Sequence, residues 1–135
     1  MSESAPLVRG LEGIPCAESA ISRINGTEGK LFYRGYSIED LAENCTFEET
    51  AYLLLYGDLP TPVELAQFDD ELRHHRRLKY RILDVIKLLP ENGHPMDILQ
   101  AGIAAMGMFY PAKAINDPVV QRDACIKLIA KMPTL

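Results

Sequence analysis

The sequence predicts a mainly α-helical chain that opens with a short β-hairpin and continues into about five or six helices. Three observations carry this expectation. An Asn25-Gly26 turn dipeptide separates Ile21 and Ile24 from Leu31, Phe32 and Tyr33, the pattern of two short strands joined by a tight turn. Helix-start signals then recur at Ser37, Thr46 and Thr61, each followed three residues later by Asp or Glu, so that a hydroxyl caps an exposed N–H and an acid caps back. After those starts the apolar residues recur at helical rather than alternating spacing.

Taken in order, residues 1–10 read as a tail and residues 11–135 as the folded portion. Gly35 breaks the second strand, and Ser37 opens a short helix ending before Thr46. Thr46 and Glu49 then start TAYLLLY, which Gly57 stops in a left-handed conformation. Thr61-Pro62-Val63-Glu64 adds proline at the first helical position, and Leu65, Phe68 and Leu72 predict the buried face of that helix. The next stripe is Ile82, Val85, Ile86 and Leu89, halted by Pro90. Pro95 starts a helix rich in small residues (Ala101, Gly102, Ala104, Ala105, Gly107), expected to pack closely against its neighbours. Asp117-Pro118 opens the last helix, with Cys125, Leu128 and Ile129 expected to face inward. The chain closes on the apolar KLIAKMPTL, an ending that suggests truncation.

Composition excludes several function classes. The 135 residues are 47% hydrophobic and 24% charged with a net charge of −5, ordinary for a globular protein and without global attraction to nucleic acid or an anionic membrane. No apolar run reaches the roughly 18–20 residues that span a bilayer. Cys16, Cys45 and Cys125 are widely spaced and form neither a disulfide framework nor a zinc pattern, so a reducing, cytoplasmic setting is expected.

The chemistry-bearing candidates are few. His74 and His75 lie in RHHRRLKYR, late in a helix whose first half is acidic. Adjacent helical residues point about 100° apart, so the pair is poorly placed for one metal, and a solvated basic end complementing the helix dipole is the reading. His94 and Asp97 sit in GHPMD, where an acid/base pair or metal ligands are conceivable. With Pro95 at the first helical position, the stronger reading is an N-cap beside a first-turn carboxylate. No nucleophile–base pair, glycine-rich phosphate loop or metal cluster stands out elsewhere.

The ordered segments GLEGIPCAESAISRING, KLFYRGYSIEDLAE, FEETAYLLLYGDLPTPVELAQF, HPMDILQAGIAAMG and LIAKMPT resemble the N-terminal part of citrate synthases, bacterial and archaeal forms above all. The resemblance extends to 2-methylcitrate synthases, which share these signatures. It implies the N-terminal portion of the large, helical domain of an enzyme that condenses acetyl-CoA with oxaloacetate to citrate and CoA. The family's catalytic aspartate and histidines lie in downstream motifs outside this sequence, as does its small domain. No catalytic residue is therefore carried over, no cofactor or metal is expected, and the isolated chain is expected to be inactive. The resemblance further implies self-association through large-domain helices as dimers or hexamers. In a hexameric subgroup it implies an inhibitory NADH contact, whose matching positions here are His94, Lys127 and Lys131. A stand-alone helical interaction module is the alternative from a different class.

Overall fold

The computed structural model describes residues 10, 17–111 and 113–135, and the chain divides into two compact units, Met1–Asp58 and Leu59–Leu135. The predicted expectation for Cys16 and most of the tail falls outside the described residues.

In the first unit, β1 (Ser22–Asn25), β2 (Lys30–Tyr33) and β3 (Tyr36–Ser37) form an antiparallel sheet in that order. Ser22 faces Tyr33 and Asn25 faces Lys30, which places the Asn25-Gly26 turn where the dipeptide predicts it. The third strand is a difference from the expectation. Gly35 does not end the sheet but turns it: Arg34 (φ 49°) and Gly35 (φ 96°) are the two central residues between the paired Tyr33 and Tyr36, and positive φ at both is what a type I′ hairpin turn requires. Two residues are too few to show alternation, so β3 has no periodic signature. Arg34 also reaches across the unit, its Nη2 donating to the Leu54 carbonyl at 3.0 Å. That carbonyl belongs to the last turn of α2, where no intrahelical donor remains.

The helix starts are as the sequence predicts. In α1 (Ile38–Asn44) the Ser37 Oγ accepts from the Asp40 amide. In α2 (Phe47–Tyr56) Thr46 and Glu49 form a complete capping box, with the Thr46 amide donating to Glu49 at 2.7 Å, and Gly57 closes the helix at φ 103°. Leu41 of α1 and Ala51 and Leu53 of α2 are the buried residues to which these helices commit their apolar faces.

The second unit is all helical: α3 (Pro62–His75), α4 (Tyr80–Lys87), α5 (Pro95–Phe109) and α6 (Pro118–Lys131). Helix α3 packs on α6 and α4 on α5. Thr61 and Glu64 make the second capping box, with Pro62 in the first turn. Phe68 and Leu72 are buried and Leu65 half-buried, as their spacing predicts. Ile82 is fully buried in a cluster with Leu78 and Met106, packed by Ile86, Ile103 and Leu135 among others.

In α6 the inward face differs from the predicted one. Ile126 and Ala130 are buried, whereas Cys125 and Leu128 are exposed and Ile129 is half-buried. The helix carries apolar residues at 124, 125, 126, 128, 129 and 130, an arc so wide that periodicity leaves its rotation open. Packing chooses the face that also buries Lys131.

Candidate functional site

Helices α5 and α6 enclose a cleft of about 330 Å³. Its apolar wall comes from Ile103, Met106, Val120 and Leu128, and Tyr110, Asp123, Lys127 and Lys131 give it a polar side with two cations and one carboxylate. The small residues of α5 explain the space. Gly107 lines the cleft and is exposed, and nothing lies within 4 Å of where its Cβ would stand.

Lys131 is the unusual group of this site, since it is only 4% exposed and lysines are seldom buried without a partner. Among the described residues no carboxylate pairs with it. Its Nζ donates instead to the carbonyls of His75 and of Arg77, the latter at 3.0 Å, and lies 4.9 Å from the centroid of the Tyr110 ring. Thr134 adds a bond from its hydroxyl to the Arg76 carbonyl at 3.1 Å. Three successive carbonyls where α3 ends are thus held by the last residue of α6 and by Thr134 just beyond it. Lys79 approaches the same tyrosine, 4.4 Å from its ring centroid, and donates to the Phe109 carbonyl. Burial, followed by repulsion from Lys127 and Lys79, pushes the Lys131 ammonium below the ordinary lysine pKa. Lys127 is paired with Asp123 one turn earlier, at 2.5 Å.

The predicted site residues are therefore only partly brought together. Lys127 and Lys131 line one cleft, and His94 does not. His94 is the N-cap of α5, its Nδ1 accepting from the Met96 amide at 3.2 Å, and about 14 Å of helix separates it from Ile103, the first α5 residue of the cleft. Asp97 lies in the first turn of α5, where the helix dipole favours a carboxylate. The histidine that does meet Lys131 is His75, through its backbone. The exposed His74 side chain sits 3.4 Å from Asp70, and Arg73 pairs with Asp69, so these side chains face solvent and are engaged within their own helix. Among the described residues no group of three or more His, Cys, Asp or Glu is placed to hold a metal ion. Sequence reasoning missed Tyr110 and Lys79. Each works through contacts about 20–30 positions away, and no local pattern marks them.

The family model described as citrate synthase, C-terminal domain, matches residues 10–135. The chain belongs to the citrate synthase family. A citrate synthase from Synechocystis sp. is 48% identical over 135 residues, covering 100% of this chain and 34% of the relative. A 2-methylcitrate synthase from Shewanella oneidensis is 36% identical, covering 100% of the chain and 36% of that relative. Among solved structures, the ternary complex of carboxymethyl coenzyme A and oxaloacetate with the citrate synthase of the archaeon Thermoplasma acidophilum superposes with a TM-score of 0.85. The identity is 29%, over 95% of this chain and 34% of that one. The chain thus spans about a third of the length of the family members it matches. Its mainly helical fold after a small antiparallel sheet is the family's fold over that span. Among the described residues no helix is long and apolar enough to cross a membrane.

Proposed function

We propose that this chain is the N-terminal segment, within the large domain, of a cytoplasmic citrate synthase, which joins acetyl-CoA to oxaloacetate and releases citrate and CoA. The observation that carries the reading is the 48% identity to a citrate synthase across every residue of the chain. The placement at the N-terminal end rests on the order of the motifs from Gly10 to Leu135, although the matching family model is described as a C-terminal domain. The Thermoplasma acidophilum relative binds a coenzyme A analogue and oxaloacetate, and the proposal transfers that substrate class to the complete protein. The segment itself contributes scaffold, because its described titratable groups form no acid–base constellation and its three histidines serve as cap, surface and backbone contact. The test is release of the CoA thiol by the complete protein given oxaloacetate with acetyl-CoA or propionyl-CoA. Preference for acetyl-CoA supports the proposal, and preference for propionyl-CoA assigns the chain to the 2-methylcitrate synthases. Turnover by residues 1–135 alone would refute the scaffold role.

Self-association belongs to the same proposal, through the solvent-facing side of α5. Met96 and Met108 are 62% and 75% exposed there, beside the exposed Ala104 and Gly107, and exposed apolar stretches of this kind mark association surfaces. Met108→Glu in the complete protein is expected to lower its mass in sedimentation, and an unchanged oligomer counts against this surface.

An inhibitory contact for an anionic nucleotide such as NADH is proposed for Lys127 and Lys131 on the strength of their shared cleft. His94, outside the cleft lining, takes part only if the ligand extends along α5. Lys127→Ala is expected to weaken inhibition of the complete protein by NADH, and inhibition identical to wild type would remove the site.

A further inference from the structure

The chain contains two Asn-Gly dipeptides, Asn25-Gly26 and Asn92-Gly93, and the fold treats them differently. We propose that Asn25 is a site of spontaneous deamidation and isoaspartate formation in the folded protein, and that Asn92 is protected.

The reaction needs a backbone amide nitrogen that reaches the preceding asparagine side chain without steric hindrance, and glycine supplies the least hindered one. The Gly26 nitrogen attacks Cγ of Asn25 and forms a five-membered succinimide. The Cγ–Nδ2 bond breaks, and Nδ2 leaves as ammonia with the proton that the Gly26 amide gives up. Water then adds to one of the two imide carbonyls. Opening on one side yields aspartate; opening on the other yields isoaspartate, in which the main chain runs through the side-chain carbon. The balance is asparagine plus water giving aspartate or isoaspartate plus ammonia, with no change of oxidation state.

At Asn25 the amide nucleophile is unhindered and unengaged. Asn25 and Gly26 are exposed at the tip of the β1–β2 hairpin, and nothing lies within 4 Å of where a Gly26 Cβ would stand. Among the described residues the Gly26 amide donates no hydrogen bond, so no contact must break before it attacks. The Asn25 Oδ1 accepts from the Glu28 amide at 3.2 Å, which withdraws electron density from Cγ and leaves the departing Nδ2 unengaged. At Asn92 the equivalent nucleophile is occupied: the Gly93 amide donates to the Pro90 carbonyl at 3.1 Å. Gly93 is also half-buried, with Ile98 packed 3.5 Å from the position of an added Cβ. Asn44 and Asn116 precede Cys45 and Asp117, whose side chains hinder attack.

The modification has a structural consequence. Either product adds one negative charge to the formal −5. Isoaspartate also lengthens the main chain by one atom at the residue that pairs with Lys30, so the register from Asn25↔Lys30 onward no longer closes on the same turn. Aspartate keeps the main chain and the Glu28 contact. Ageing through isoaspartate therefore loosens the hairpin, while aspartate leaves it paired.

The test follows the full chain during incubation in mildly alkaline buffer, native and in concentrated urea, by peptide mapping that separates aspartate from isoaspartate. In the native chain Asn25 is expected to convert several-fold faster than Asn92, and in urea the two rates converge. Equal native rates, faster conversion at Asn92, or an intact Asn25 would each overturn the proposal. Gly26→Ala is expected to suppress conversion at Asn25 with an unchanged circular dichroism spectrum, and wild-type conversion in that variant would exclude the Gly26 amide as nucleophile. The native-to-urea comparison decides the question even where that variant fails to fold.

Discussion

The two ends of α3 are held in opposite ways. Its start is specified within four residues: Thr61 and Glu64 cap one another's amides and Pro62 fixes the first turn. Its end is held from more than fifty residues away, where Lys131 and Thr134 of the closing segment bind the carbonyls of His75, Arg76 and Arg77. The first device is a local geometry that any chain with those residues adopts. The second exists only once α6 has docked, so it couples the end of α3 to the packing of the whole helical unit. Orphan amides at helix starts are satisfied by short side chains nearby, whereas here the orphan carbonyls need a long cationic side chain from another element.

That contrast is open to breaking, most severely at the distant contacts. Gly102→Leu forces a side chain onto Leu135, whose Cδ1 already lies 3.0 Å from where a Cβ would stand; a loss of about 3 kcal/mol is expected in urea unfolding, and Leu135→Ala in the same chain should recover part of it. Lys131→Met keeps the bulk but strands two carbonyls, at about 2 kcal/mol. The same variant tests the charge. Because the folded-state pKa lies below the unfolded value, the unfolded chain holds more protons between the two, and stability rises with pH across that window. The wild type should therefore gain on Lys131→Met as pH climbs toward the ordinary lysine value; a constant difference would show that burial does not penalise this ammonium. Local devices should matter less. Thr61→Ala is expected to lose about 1 kcal/mol, with Thr61→Asp close to wild type. His94→Ala, which removes the Met96 contact, should lose about 0.5 kcal/mol, and His94→Asn should restore it. Cap losses larger than the Lys131 loss would invert the comparison.

The same division governs how much was legible beforehand. The hairpin turn, the starts of five helices and the stop at Gly57 follow from residues within one turn of each other, and each was readable from side-chain type and spacing. The third strand escaped because Tyr36 and Ser37 are too few for a pattern, and because positive φ at Arg34 is atypical of its residue type. The rotation of α6 escaped because its apolar arc is too wide to name a face. Of the cleft, Lys127 and Lys131 entered through family resemblance alone, and Tyr110 and Lys79 did not enter at all.

The sequence by itself therefore determined where helices begin, which faces of α3 and α4 are buried, and the family to which the chain is related, since each rests on short-range chemistry or on motif order. Tertiary structure decided what the charged groups do. It built the cleft away from His94 and turned Lys131 inward onto two carbonyls and a tyrosine ring. The physical reason is that caps and periodicities are properties of neighbouring residues, whereas desolvation and carbonyl capture depend on which distant elements arrive beside them.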